Sequence, residues 1–143
     1  MAAGATLVVS ERARSWFERV LANSNRISPD AMARSGRLAT VQAINTQHTF
    51  SDSARSVDVF MIQDSIHAQG FMMVWLPRER LLIQADAFTP PPAGAPVPMV
   101  ANANHVNLLD NIEALKLNVE RIVPLHGRIV PIAELYRATG RRP

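Results

Sequence analysis

The most constraining stretch lies at residues 71–86, where two apolar runs flank a short polar turn. Phe71, Met72, Met73, Val74, Trp75 and Leu76 form an almost unbroken apolar run, as in a strand buried within a sheet. Pro77, Arg78, Glu79 and Arg80 make a polar turn, and Leu81, Leu82 and Ile83 run back as the second arm of a hairpin. His67 stands in the loop before the first arm, and Asp86 stands just past the second. In an antiparallel pair those two positions share one end of the sheet. An imidazole and a carboxylate on loops at one sheet edge make a candidate site.

The rest of the chain alternates strands and helices. Residues 5–9 read as a short buried strand. Ser10 then caps a helix in which Ala13, Trp16, Phe17, Val20 and Leu21 share one apolar face. Residues 23–27 read as a loop. A second, short helix opens at Ser28-Pro29-Asp30, with Pro29 in its first position, and Gly36 ends it. Residues 38–50 read as strand. Ser51, Asp52 and Ser53 turn the chain into a strand around Val57, Val59 and Met61. Residues 89–104 hold five of the ten prolines, which forbid regular pairing and leave a long loop. Asn107 is the expected cap of a third helix, with Leu108, Ile112, Leu115 and Val119 as its buried stripe. Residues 121–125 read as a strand that ends at His126-Gly127. Pro131 starts a last helix with Ile132, Leu135 and Tyr136 inward, and Gly140 stops it. Arg141, Arg142 and Pro143 read as a frayed end.

Length and composition narrow the function classes. At 143 residues a single domain over residues 1–143 is the expectation. No apolar run reaches the 18 or so residues of a membrane span, and the first residues do not read as a signal peptide. The net charge is +3, with arginines scattered and not interleaved with aromatics, so neither a nucleic-acid nor a membrane partner is expected. There is no cysteine. That excludes disulfides and thiolate metal sites and leaves the compartment open.

Of the four histidines, His48 lies in a polar strand and His105 at the foot of the proline loop. Taken singly, none points to a function. His67, Asp86 and His126 share a more specific setting, each in a loop beside an apolar strand with small or turn residues nearby. Two imidazoles and a carboxylate are suitable zinc ligands.

The order of these pieces resembles the C-terminal half of the metallo-β-lactamase superfamily. The matching pieces are His67-Ala68-Gln69-Gly70, the apolar strand after it, Pro77, the strand ending Gln84-Ala85-Asp86, and Pro124-Leu125-His126-Gly127. Gly4 to Ser10, with the helix behind it, resembles the segment after that family's first metal motif. The resemblance implies an α/β fold: half of an αββα sandwich, one mixed sheet with helices on its outer face. It implies metal roles for His67, Asp86 and His126, with Asp86 bridging two zinc ions and serving catalysis. It also implies a small-molecule substrate, for which Phe88, Met99 and His105 are the candidate contacts, with Val100 beside Met99 on an apolar rim. A hydroxide held between such metals attacks a carbonyl or phosphoryl centre.

The family's H-x-H-x-D-H motif is absent, since no two histidines stand two apart and none precedes His48. Ala85 and Leu125 replace glycines common before the aspartate and the last histidine. What remains is His67 with Asp86 for one metal and Asp86 with His126 for the other, which predicts weak zinc binding. One sheet face would also lie bare, predicting self-association or a partner. Three readings follow: the C-terminal part of a zinc-dependent hydrolase, inactive alone; an enzyme completed by a partner chain or dimer; or a non-catalytic binding or interaction domain that keeps the fold.

Overall fold

The computed structural model describes residues 3–23 and 27–142. Residues 24–26 of the loop read at 23–27, and Pro143, lie outside the described residues. The chain divides into two compact units, Met1–Asn45 and Thr46–Pro143.

The first unit is built on two parallel strands, β1 (Thr6–Ser10) and β2 (Thr40–Ile44), in register from Thr6 opposite Thr40 to Ser10 opposite Ile44. A parallel pair needs a long crossover. It is supplied by a 3₁₀ turn, Glu11–Ala13, and two helices, α1 (Arg14–Leu21) and α2 (Ala31–Ser35). Ser10 precedes the 3₁₀ turn but its side chain makes no capping bond. Asp30, not Pro29, borders α2, and its carboxylate accepts the Ala33 N–H at 2.8 Å. Gly36 ends that helix in the left-handed conformation, φ +62°. The apolar stripe of α1 is not buried: Trp16 is 51 % exposed and Val20 is exposed too. A 3.6-residue period identifies an apolar face without saying what covers it.

The second unit is a six-stranded mixed sheet. Its strands are β3 (Gln47–Ser51), β4 (Ser56–Met61), β5 (Met72–Leu76), β6 (Leu81–Gln84), β7 (Arg121–Pro124) and β8 (Val130–Pro131), side by side in chain order. β3 to β6 run antiparallel, β6 and β7 are parallel, and β8 returns antiparallel. The stretch read as one strand over 38–50 is therefore two strands in separate sheets, and β8 was not foreseen. The crossover between β6 and β7 carries α3 (Ala103–Ala114), and α4 (Ile132–Thr139) follows β8.

Both helices close one face of the sheet. Met73, Trp75, Leu82 and Ile122 share a core with Phe88, Leu108, Leu109, Ile112, Val130 and Leu135. Burial of this kind is worth roughly 1.5–3 kcal/mol per large apolar side chain. The Met72-Val74-Leu76 side turns away from the helices. There Val59, Val74, Ile83 and Val123 stand opposite one another across four strands.

Two helix boundaries differ from expectation. Asn102, not Asn107, caps α3, accepting the Asn104 N–H at 2.9 Å. α3 stops before Leu115, which is exposed, while Val119 is buried from the loop beyond. Arg141 is not frayed, since it pairs with Asp110 at 2.5 Å and Glu113 at 3.5 Å. Among the described residues no helix is long and apolar enough to cross a membrane.

Candidate metal centre

Three loops meet at one end of the sheet. β6 and β7 are parallel with Gln84 opposite Pro124, so Asp86 and His126 each stand two residues past matched strand ends. β5 runs antiparallel to β6, with Val74 opposite Ile83, which brings the loop before β5 to the same end. That loop is closed at its neck by Ile62 N–H donating to Phe71 C=O at 2.8 Å. His67 sits within it, its ring 5.0 Å from that of Phe71.

The result is a cluster centred on one carboxylate. Asp86 Oδ2 lies 3.7 Å from His67 Nε2, and Asp86 Oδ1 lies 3.3 Å from His126 Nε2. The side chains are 36 % (Asp86), 39 % (His67) and 65 % (His126) exposed, so the cluster opens to solvent. Two ligand atoms on a tetrahedral zinc, each bonded at about 2.0–2.1 Å, stand roughly 3.3 Å apart. The His126–Asp86 separation equals such an edge, and the His67–Asp86 separation is slightly wider. The donors are of a kind that suits a metal, and the His126–Asp86 spacing is that of neighbouring ligands. Among the described residues no group of three or more His, Cys, Asp or Glu side chains is arranged to hold a metal ion.

Local chemistry holds the three loops. Gly127 takes φ +97°, and a Cβ there would stand 3.4 Å from Pro90 Cδ. The Leu125 N–H donates to Gln84 C=O at 3.0 Å, carrying the β6–β7 pairing one residue further. The proline loop is held from α4 and the turn before it. Arg128 makes two bonds to Glu134, at 2.7 and 2.6 Å, and donates to Pro91 C=O at 3.3 Å. Arg137 donates to Ala95 C=O at 2.8 Å. The Arg128 guanidinium holds the Glu134 carboxyl below its ordinary range through that hydrogen bond.

Of the residues read as substrate contacts, Phe88 and His105 meet ring to edge, while Met99 stands exposed on the proline loop. Phe88 is fully buried in the core, so it forms no rim. Its backbone is drawn inward by Gln84, and this aromatic four residues past the strand fills the core below it. His105 lies in the first turn of α3 with its ring edge-on to Phe88, centroids 4.8 Å apart. Its Nδ1 is buried with no hydrogen-bond partner, and burial pushes its imidazole below the ordinary value. Met99 and Val100 stand out on the proline loop, fully or largely exposed. His48 is in β3, its ring 4.4 Å from Phe50.

Two residues that the sequence reading passes over lie beneath these loops. Gln84 and Asn111 are buried polar side chains. Their signal was a carboxamide on an otherwise apolar face: Gln84 two places after Leu82, and Asn111 three places after Leu108.

No protein-family model matches the sequence, and no curated protein matches it. Solved structures do. The rubredoxin oxygen:oxidoreductase of Desulfovibrio gigas is similar over 94 % of this chain and 37 % of its own, with TM-score 0.64 and 16 % identity. A metallo-β-lactamase from Pontibacter korlensis is similar over 96 % of this chain and 58 % of its own, with TM-score 0.58 and 18 % identity. An archaeal metallo-β-lactamase superfamily protein from Sulfolobus tokodaii is similar over 91 % and 55 %, with TM-score 0.54 and 14 % identity. The chain therefore spans between about a third and three fifths of these proteins. At such identities the likeness is one of fold. The mixed sheet, the helices on one of its faces and the partial coverage match the fold of half of a metallo-β-lactamase αββα sandwich.

Proposed function

We propose that this chain supplies the C-terminal share of a metal-dependent hydrolase site, with His67, Asp86 and His126 as ligands and Asp86 bridging two metal positions. The observation that carries this reading is the placement of Asp86, one oxygen toward each imidazole at ligand-to-ligand spacing. Zinc is the metal this reading names. A bound zinc supplies a low-pKa water and polarises a substrate oxygen. The chain's own part is to hold the carboxylate and the two imidazoles at one rim, open to solvent. The missing donors come from outside these 143 residues, in a preceding segment or a second chain, and the chain alone is inactive. Imidazole and carboxylate donors suit non-haem iron as well as zinc, and flavodiiron and oxidoreductase proteins share the fold. The reaction is therefore set by the missing donors and the substrate pocket, not by the fold.

The test is calorimetric titration of zinc into the chain and into Asp86→Ala and His126→Ala. Weak binding that both substitutions abolish is the expected result. Binding unaffected by either, or none at millimolar zinc, overturns the reading. Hydrolysis of a lactam or thioester by the chain alone contradicts the inactive state.

A second reading has its own observation. Val97, Met99 and Val100 are exposed on a loop anchored by Arg128 and Arg137, which suits either a pocket rim for a small apolar substrate or a non-catalytic contact surface. Substituting Met99 with Glu separates them: substrate affinity of the complete enzyme falls under the first and partner binding alone under the second. Self-association through the Val74-Ile83-Val123 face, where Ile83 is exposed, belongs to the same proposal, and light scattering of the chain tests it.

A further inference from the structure

Polar side chains in a core are destabilising unless their groups are paired. Two in the second unit are buried, Gln84 at 3 % exposure and Asn111 at 7 %. Both are carboxamides, and both grip a single residue by its N–H and its C=O together.

Gln84 Oε1 accepts the Phe88 N–H at 3.0 Å, and Gln84 Nε2 donates to the Phe88 C=O at 2.7 Å. The ring so closed has Asp86 at its middle. Gln84 also reaches the third loop, since its own C=O accepts the N–H of Leu125, the residue before His126. Asn111 does the same for the His67 loop. Its Oδ1 accepts the Gln63 N–H at 2.7 Å and its Nδ2 donates to the Gln63 C=O at 3.1 Å. Asn107 Nδ2 adds bonds to the C=O of Gln63 at 2.9 Å and Asp64 at 3.3 Å. Asp64, next in this loop, takes φ +51°, in the left-handed region.

An apolar residue of the same size would fill either place but would leave the backbone N–H and C=O now paired there without a partner. What it would lose is the hold on a loop that carries a ligand. We propose that Gln84 and Asn111 are positioning residues: two core carboxamides that set Asp86, His126 and His67 at ligand spacing before any metal arrives. This deepens the metal reading above and rests on it for its purpose.

The experiment uses the whole chain in three variants: Gln84→Met, Asn111→Leu and, as the conservative control, Gln84→Glu. Backbone ¹⁵N relaxation is recorded without metal. Gln84→Met should loosen residues 85–88 and leave 63–68 as in the unmodified chain, and Asn111→Leu should do the reverse. A general loss of stability would not produce that exchange of loops. Cobalt(II) titration followed by visible absorption is the second readout. Apparent affinity should fall about tenfold or more in the Met and Leu variants, as for other residues that orient metal ligands. Gln84→Glu, a neutral acid when buried, can remake both bonds to Phe88 and should restore it. Unchanged relaxation in both loops, or unmodified cobalt affinity in both variants, overturns the proposal. Should Gln84→Met not fold, the Glu variant decides: 85–88 as ordered as in the unmodified chain supports the clamp, and a folded variant with loose 85–88 overturns it. If the unmodified chain binds no cobalt, the metal reading falls and relaxation alone decides the positioning.

Discussion

His126 Nε2 stands 3.3 Å from Asp86 Oδ1 although forty residues separate them in sequence, because both follow the paired ends of two parallel strands. Parallel strands release their loops at a common edge, which is where open α/β sheets place ligands. The antiparallel β5 delivers His67 to the same edge from the opposite direction. The cluster of Asp86, His67 and His126 is thus a product of sheet topology.

Gly127 is the first place to test that dependence. At φ +97° an alanine is strained whatever the space, and its Cβ would press on Pro90 Cδ at 3.4 Å. Gly127→Ala should cost about 1–2 kcal/mol, read by urea denaturation, and should weaken zinc binding through displacement of His126. Wild-type stability and zinc affinity together would show that the loop tolerates another path.

Leu82 lies at the centre of the core, fully buried between the strands that carry the site. Leu82→Ala should destabilise the fold by about 2–5 kcal/mol, measured as a fall in the denaturation midpoint without a change in slope. A loss well under 1 kcal/mol would mean that the helices do not close this face as described.

His105 predicts a pH dependence. Burial favours its neutral form and lowers its pKa from the ordinary value of 6.5. Between the folded and unfolded values the unfolded chain binds more protons, so stability rises with pH there. The neutral ring is tolerated fully above about pH 6.5, and stability is lost as pH falls below it. His105→Phe removes this titration and should flatten the melting temperature between pH 7 and 5, relative to the unmodified chain, on the order of those pH limits. An unchanged slope would assign the pH dependence to other groups.

The proline loop tests the role of the arginines. Arg128 and Arg137 hold the Pro91 and Ala95 carbonyls, and exposed ion pairs such as Arg128–Glu134 contribute roughly 0–1 kcal/mol. The double substitution Arg128→Ala, Arg137→Ala should barely change global stability yet speed proteolytic cleavage within residues 91–100. Cleavage at the original rate would show that the prolines alone order the loop.

Much of this was legible in the sequence because the strand signals were strong. The run at residues 71–76, the turn after Pro77 and the return at Leu81 yield the observed hairpin, and with it the meeting of His67 and Asp86. His126 followed from a short apolar strand ending in a turn residue. The misses have physical causes. Phe88 reads as a loop aromatic, but Gln84 binds its backbone and turns its ring into the core. Asn107 looks like a cap, whereas Asn102 begins α3 one turn earlier and frees Asn107 to bind a distant loop. The stripe on α1 has the right period, yet nothing local decides whether it is covered. Long-range partners of that kind are invisible to a short window.

On the proposed function, one carboxylate and two imidazoles form the chain's share of a metal centre. A crystal of the chain soaked in zinc, with anomalous data collected across the zinc edge, tests it most directly. The expected result is an anomalous peak bonded to both His126 Nε2 and Asp86 Oδ1, with any second peak between Asp86 Oδ2 and His67 Nε2. Zinc seated on other residues, or no peak at this edge of the sheet, would contradict it.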